Sequence, residues 1–219
     1  MNPTLHTTLS FLFLALTIYF PLAFTQYVYD TDGYPLAPGS EYYISQTTNS
    51  GQEGGGLIVG EVEEGYPGDD QTCALTVLQE YRKDNDGLPV RFNVSDRDFI
   101  SEDLTHVEIE FVIKKPNCAH SFKWVVVENY FKFHTKWISI GSIEDLGDTP
   151  IHDGLFKIKK QGKGYKLVFL TKWTSFDIKR FNDVNGRRLV AIEIDVQSEK
   201  YLPFEVEFVN ANRYRRSEV

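Results

Sequence analysis

Short runs of β-branched and aromatic residues alternate with turn-forming clusters along most of the chain. Val107, Ile109 and Phe111 alternate with two glutamates, which is the period of a strand with one buried and one wet face. No stretch of about 12 residues carries a sustained apolar stripe at helical spacing. Many short strands predict an all-β sandwich or barrel. Further strand-like runs lie at 42–44, 57–59, 75–78, 124–127, 137–140, 165–169, 189–196 and 204–208.

The first 25 residues have the pattern of a signal peptide. Residues 11–23 form an apolar run that is too short to span a bilayer as a helix. Ala23 and Thr25 are small residues at the positions that determine cleavage, so we place the cut after Thr25. A signal anchor is the alternative. We therefore predict a secreted protein whose mature part, residues 26–219, is a single domain, and the sequence leaves vacuolar delivery open.

The charge balance of the chain is acidic, with 31 Asp and Glu against 23 Lys and Arg and a formal net charge of −8. A nucleic-acid partner requires a basic face that neutralises phosphates, so this balance argues against one. The composition, 42% hydrophobic and 14% aromatic, is that of a globular chain. No second long apolar run follows the first. We expect a soluble monomer with no membrane partner after the signal is removed.

The two cysteines, Cys73 and Cys118, both lie in the predicted mature part. In an oxidising compartment an isolated pair is expected to form one disulfide. Closing a segment of this length contributes about 4 kcal/mol to stability in the chain-entropy model. Two buried free thiols are the alternative.

The sequence contains none of the motifs that mark common enzyme classes. A Gly-x-Ser-x-Gly elbow, a P-loop, a dinucleotide fingerprint and a His-Glu-x-x-His motif are all missing. The histidines of the mature part lack the spacing of metal ligands, and they are His106, His120, His134 and His152. We therefore predict no enzymatic activity, no cofactor and no metal site.

One glycosylation sequon is present, Asn93-Val94-Ser95. In a secreted chain Asn93 is expected to carry a glycan, and a glycan must be exposed. The segment 92–98 is therefore expected to be a surface loop.

Several short motifs occur in a fixed order along the mature part. Residues 28–36 (VYDTDGYPL) and 42–44 (YYI) resemble the N-terminal signature of the plant Kunitz trypsin inhibitor family of the soybean type. Similarity to this family continues at 73–77, 87–92, 124–127, 153–156, 165–169 and 187–190. Each motif is short, but the ordered set covers about residues 28–209.

The resemblance implies a β-trefoil of twelve strands with pseudo-threefold symmetry. It also implies a peptidase inhibitor whose exposed loop enters the cleft of the peptidase like a substrate. Counting along the family pattern from Gly87 places the reactive bond between Arg97 and Asp98. Arginine at this position suits the specificity pocket of a trypsin-like serine peptidase, which contains a buried aspartate. The other expected loop contacts are Ser95, Asp96 and Phe99.

The chain differs from the family pattern at two informative positions. Pro38 stands where the family has an asparagine that supports the loop through hydrogen bonds, and Leu170 replaces the first cysteine of a second family disulfide. Arg97 as an ordinary surface arginine remains an alternative. Two other functions also stay open: a non-inhibitory trefoil with a storage, defence or taste-modifying role, and an inhibitor of a cysteine peptidase or an amylase through another loop.

Overall fold

The computed structural model describes residues 26–47, 54–61, 75–113, 119–128, 135–146, 150–183, 186–194 and 198–212. Cys73 and Cys118 lie outside these ranges, so the predicted disulfide stays a prediction. The predicted signal peptide, residues 1–25, also lies outside them. Among the described residues, no helix has the length and apolarity needed to cross a membrane.

Fourteen strands and a short helix form the regular structure of the described residues. The helix, α1, is Ile143–Leu146. The strands are β1 (Glu41–Gln46), β2 (Leu57–Glu61), β3 (Leu75–Gln79), β4 (Val90–Asn93), β5 (Glu108–Phe111), β6 (Trp124–Val127), β7 (Lys136–Ile140), β8 (Ile151–Asp153), β9 (Phe156–Gln161), β10 (Gly164–Leu170), β11 (Ser175–Asp183), β12 (Gly186–Glu193), β13 (Tyr201–Pro203) and β14 (Val206–Asn210).

All of these strands belong to one hydrogen-bonded sheet. Its main path runs β5-β4-β1-β14-β10-β11-β12-β3-β7-β6-β8, and β2, β9 and β13 pair at its sides. The first strand pairs with the last in antiparallel register, from Tyr42 opposite Asn210 to Gln46 opposite Val206. The two ends of the domain are therefore joined by backbone hydrogen bonds.

The core lies on the inner side of this sheet because apolar residues alternate with polar ones along the strands. In β1 every second residue is buried, and in β4 Val90 and Phe92 are both fully buried while Arg91 is half-buried. The bulkiest buried side chains are aromatic, and they include Trp124, Phe92, Phe111, Phe156, Phe169 and Phe208. Aromatic residues of this size contribute most of the apolar area that a core removes from water.

The all-β prediction is confirmed, and all nine strand-like runs fall in strands. Their bounds shift by a few residues: the 189–196 run ends early because β12 stops at Glu193, and the 204–208 run begins late because β14 starts at Val206. Five further strands, β4, β8, β9, β11 and β13, were not among the predicted runs. The alternation is short in both of the longer ones: in β9 only Phe156 and Ile158 are apolar, and in β11 the buried Arg180 interrupts the apolar face.

A tight turn precedes β1 and shapes the N-terminal segment. The Asp30 side chain accepts hydrogen bonds from the N–H groups of Asp32 (3.1 Å) and Tyr34 (2.9 Å). Gly33 adopts φ 81°, a left-handed conformation that glycine adopts without strain. The N–H of Tyr29 donates to the Tyr165 hydroxyl at 3.0 Å, which fixes this segment to β10.

Candidate functional site

An exposed loop, residues 94–99, projects from the sheet between β4 and the buried Ile100. The residues that were predicted to contact a peptidase, Ser95, Asp96, Arg97, Asp98 and Phe99, are all solvent-exposed and lie together on this loop. Their contact with a peptidase stays a prediction.

The N-terminal end of the exposed loop is fixed by β4. This strand pairs with β5 through four residues and with β1 through two. The Phe92 ring is fully buried and packs against Tyr42 and Phe208, with ring centroids 6.0 and 5.5 Å away. The expectation of a surface loop over 92–98 is therefore wrong at its start, because the strand alternation places Phe92 in the core and keeps Asn93 in β4.

The C-terminal end of the exposed loop is fixed by Ile100. Its side chain is fully buried. Its N–H donates to the Leu36 carbonyl at 2.9 Å, and its carbonyl accepts from the Val28 N–H at 2.9 Å. Both backbone groups of Ile100 are therefore bonded to the N-terminal segment, on residues far away in sequence.

The region around Pro38 holds β4 by contacts that do not use the proline side chain. Proline has neither a side-chain donor nor a backbone N–H. Instead the Gly39 N–H donates to the Phe92 carbonyl at 3.0 Å, and Arg91 Nε donates to the Gly39 carbonyl at 3.1 Å. Arg91 also lies 3.4 Å from Glu41 Oε1. These bonds fix the base of the exposed loop and leave its tip without a side-chain prop from this region.

An aromatic pair flanks the exposed loop on its C-terminal side. The Phe99 and Tyr27 rings meet edge to face, with centroids 5.5 Å apart, and both side chains remain about 40% exposed. The chain then turns back on itself, because the Ser101 N–H donates to Thr105 Oγ1 at 2.9 Å. The C-terminal end of the exposed loop is therefore bordered by partly exposed aromatic side chains.

Arg97 is the cationic side chain of the exposed loop. Within the described part of the chain its guanidinium makes no hydrogen bond or ion pair, although Asp96 and Asp98 are its sequence neighbours. Asp96 adopts φ 56°, in the left-handed region that aspartate tolerates better than most residues. The backbone therefore bends directly before Arg97 in the free protein.

A cleft of ≈ 490 Å³ lies beside the exposed loop. Its lining includes Asn93, Ser95 and Arg97 from β4 and the exposed loop, and Leu104, His106 and Leu155 from segments that follow in the sequence. Leu104 is 60% exposed and Leu155 is 37% exposed, so the cleft has an apolar side that is open to solvent. On its inner side Asn93 Nδ2 donates to Glu110 Oε2 at 3.2 Å.

A polar cluster surrounds Asp145, which is far from the exposed loop in sequence. The Asp145 carboxylate accepts from the His120 N–H at 2.9 Å, lies 2.6 Å from His120 Nδ1, and accepts from the Ser142 N–H at 2.7 Å. Burial opposes ionisation of Asp145, but these hydrogen bonds outweigh it and lower its pKa. The Ser142 hydroxyl donates to the aspartate rather than to the histidine, so the cluster lacks the nucleophile–base contact of a hydrolase.

The other described histidines give no sign of metal binding. His152 Nε2 lies 2.9 Å from Glu128 Oε1, which also pairs with Lys136. Within the ranges that the structure describes, no three potential ligands among His, Cys, Asp and Glu come close enough to hold a metal ion. His134 lies outside those ranges.

The residues that anchor the exposed loop could not be identified from the sequence. Ile100 reads as one more apolar residue in a charged stretch, and its partners Val28 and Leu36 are more than 60 positions away. Tyr27 precedes the N-terminal signature and carried no signal of its own. An apolar residue directly after an exposed charged run is the one local clue to such an anchor.

The fold has clear counterparts among solved structures. A Kunitz type trypsin inhibitor from Cicer arietinum superposes with a TM-score of 0.70 at 36% identity, covering 85% of this chain and 99% of that one. The MP-4 protein of Mucuna pruriens gives a TM-score of 0.71 at 38% identity, with the same coverage. Soybean trypsin inhibitor, at 23% identity and a TM-score of 0.65, shares the fold. The predicted β-trefoil is therefore confirmed, and the fourteen strands among the described residues agree roughly with the twelve that were expected.

The amino-acid sequence also has close relatives. A Kunitz-type trypsin inhibitor-like protein of Pisum sativum is 39% identical over 96% of this chain and 94% of its own length. A subtilisin inhibitor of Canavalia lineata is 33% identical over 85% of this chain and 93% of its own. The family model described as trypsin and protease inhibitor matches residues 28–209. The chain belongs to the plant Kunitz family of trypsin and protease inhibitors, a family of inhibitors and not of enzymes.

Proposed function

We propose that the protein inhibits a trypsin-like serine peptidase by presenting Arg97 to its specificity pocket. One observation carries this proposal: an exposed arginine without an intramolecular partner in the described structure lies on a loop that is fixed at one end by β4 and at the other by the bonds of Ile100 to the N-terminal segment. Relatives named as trypsin, subtilisin and elastase inhibitors support the wider class of serine peptidase inhibition.

The charge of Arg97 supports a pocket with a buried carboxylate. A guanidinium binds a carboxylate through two parallel hydrogen bonds, which are stronger than bonds between neutral groups. Because Arg97 has no ion pair in the described structure, it breaks none when it enters the pocket, and the costs of entry are its hydration and the freedom of its side chain. Arginine is one of the residues that most often dominate the energy of an interface.

The fixed ends of the loop explain how binding can lead to inhibition rather than digestion. Ordering a mobile loop costs free energy that is subtracted from affinity, and a loop held at Phe92 and Ile100 has already lost much of that freedom. If the Arg97–Asp98 bond is cut, the same anchors keep the two new ends on one surface, so the bond can form again. A flexible substrate would release its product instead.

The bend at Asp96 is compatible with this mechanism. A peptide in a peptidase cleft is extended, whereas Asp96 has φ 56° in the free protein. Aspartate tolerates the left-handed region better than most residues, so Asp96 can move to the extended region on binding while the anchors at Phe92 and Ile100 stay in place.

We also propose that the protein is secreted after removal of residues 1–25. The short apolar run at 11–23 and the small residues Ala23 and Thr25 support this proposal. Secretion would bring the exposed loop into contact with peptidases outside the cell or in the vacuole. Sequencing the amino terminus of the protein from plant cells that express the full chain tests the position of the cut.

The test of the inhibitory role is trypsin inhibition by the secreted protein and by three variants. Arg97→Ala is expected to weaken inhibition by about 30–1,000-fold, the range of a dominant interface residue, without changing the melting temperature. Arg97→Lys should keep trypsin as the target. Arg82→Ala is the matched control, because Arg82 is also an exposed arginine and lies on another turn, where it pairs with Asp84.

Two results would overturn the proposal. If Arg97→Ala inhibits trypsin as well as the unchanged protein does, the contact lies elsewhere. If the unchanged protein does not inhibit trypsin, the target is a different peptidase or the trefoil is not inhibitory. Arg97→Leu adds a check of specificity, because it should shift inhibition from trypsin to chymotrypsin, whose pocket is apolar.

A further inference from the structure

We propose that Asn93 carries an N-linked glycan that occupies the cleft beside the exposed loop and limits the access of a peptidase to Arg97. The regulatory half of this inference rests on the proposed inhibitory function. The modification itself does not, and it can be measured without a peptidase.

The position of the sequon suits an acceptor site. Asn93 is the last residue of β4, and Ser95, the third residue of the sequon, is exposed on the loop. The Asn93 side chain is half-buried at the cleft wall rather than enclosed in the core. The acceptor amide therefore stands at the end of β4, where the strand passes into the exposed loop and its side chain lines the cleft.

The hydrogen bond of Asn93 is compatible with glycosylation. The amide nitrogen Nδ2 carries two hydrogens, and one of them is directed at Glu110 Oε2, 3.2 Å away. Attachment of a sugar replaces one hydrogen and leaves the other. The bond to Glu110 can therefore persist, and it would direct the sugar away from the sheet and into the cleft.

The chemistry of the cleft matches a sugar. A pyranose ring has an apolar face of C–H groups and an edge of hydroxyls. The cleft of ≈ 490 Å³ offers both kinds of partner: the exposed side chains of Leu104 and Leu155 on one side, and the polar groups of His106 and Glu108 along its length. A glycan lying here would cover two leucines that the free protein leaves in water.

The glycan would lie within the footprint of any peptidase centred on Arg97. Four residues span at most about 14 Å, so Asn93 is no further than that from Arg97 along the backbone. A standard interface covers about 800 Å² on each partner, which corresponds to a disc of about 16 Å radius. Arg97 also lines the same cleft. A peptidase that docks on Arg97 must therefore displace the glycan or accommodate it.

The experiment begins with the intact mass of the protein secreted by plant cells that express the full chain. A peptide-N-glycosidase digest of the denatured protein should lower that mass by one glycan and convert Asn93 to aspartate. Asn93→Gln should be secreted at the mass of the unglycosylated chain plus one methylene group, and Ser95→Thr, which preserves the sequon, should retain the glycan.

Trypsin inhibition then compares the glycosylated protein with Asn93→Gln and with protein trimmed by an endoglycosidase to a single sugar. We expect the inhibition constant to fall by at least about tenfold in Asn93→Gln, with an intermediate value for the trimmed protein and a faster association rate. Asn93→Gln is preferred to the enzymatic product because the new aspartate would add a negative charge near Arg97. Melting temperatures establish that each variant is folded.

The outcomes separate the two halves of the inference. An unchanged mass after digestion overturns the modification, whatever the inhibition data show. A glycan that is present but leaves the inhibition constant unchanged overturns its control of Arg97. If the glycan is present and neither form inhibits trypsin, the inhibitory function and the control fail together, while the modified site stands.

Discussion

Replacing Ile100 by alanine separates the stiffness of the exposed loop from the stability of the whole domain. Ile100 is fully buried at the C-terminal end of the loop, and its backbone is bonded to Leu36 and Val28. Ile138 in β7 is equally buried, but it lies in the part of the sheet formed by β3, β6 and β7. Ile138→Ala is therefore a control with the same chemical change and no loop contact.

Both variants should lose a similar amount of stability. Truncating a buried isoleucine to alanine costs about 2–5 kcal/mol, which lowers the melting temperature of a domain of this size by about 4–20 °C.

The two variants should differ in how strongly they inhibit trypsin. If the cavity at position 100 frees the backbone of about two residues, binding must order them again at about 1–2 kcal/mol each. Inhibition of trypsin by Ile100→Ala should then weaken by about 30–1,000-fold, while Ile138→Ala inhibits normally.

The assay measures inhibition constants at a temperature at which both variants are folded, together with the rate at which trypsin cuts the Arg97–Asp98 bond. We expect faster cutting in Ile100→Ala, because a looser loop behaves more like an ordinary substrate. Equal inhibition constants for the two variants would refute the reasoning, since the anchor at Ile100 would then contribute nothing to the stiffness of the loop.

Three further predictions concern stability. The hydrogen bond to Asp145 raises the pKa of His120 above its ordinary 6.5. The contribution of the His120–Asp145 pair to the stability of the fold is therefore fully present below about pH 6.5, and it is lost as the pH rises through the raised pKa of His120. Above about pH 6.5 the melting temperature should fall more steeply with pH than in His120→Ala, and equal slopes would contradict this. Gly87→Ala should destabilise by about 3 kcal/mol or more, because a Cβ would collide with the carbonyl at the start of β2. Gly33→Ala, with a similar φ but free space, should lose only about 1–2 kcal/mol, and equal losses in urea unfolding would exclude the collision. Cys73→Ser should lose about 4 kcal/mol, and an unchanged unfolding midpoint would argue against a disulfide.

The sequence predicts the fold class well because alternation of apolar and polar residues is a local property. β5 is predicted from five consecutive residues. β9 (Phe156–Gln161) has the same alternation, but it was missed because only two of its residues, Phe156 and Ile158, are apolar. In β4 the sequon at Asn93 suggested a loop, whereas burial of Phe92 decides the local structure in favour of a strand.

The exposed loop could be located from family resemblance, but its support could not. The contacts of Ile100 with Val28 and Leu36 depend on the register of segments that are more than 60 residues apart, and no local pattern specifies that register. The left-handed conformation of Asp96 is equally invisible in the sequence, because aspartate occurs in most loop conformations. The cleft beside Asn93 exists only once residues 104–106 fold back against the loop.

The first described residues of the chain, Gln26 and Tyr27, lie beside the exposed loop, so removal of the signal peptide would change the surroundings of the loop. The Gln26 carbonyl accepts a hydrogen bond from the Glu102 N–H at 2.8 Å, and Tyr27 contacts the Phe99 ring. Cleavage after Thr25 would thus create a charged amine one residue from the aromatic neighbour of the loop. A leader or an affinity tag retained at this point would crowd the same surface. The precursor is therefore expected to be a poorer inhibitor than the processed protein. For the same reason, a tag at the carboxyl terminus is the safer choice when inhibition is measured.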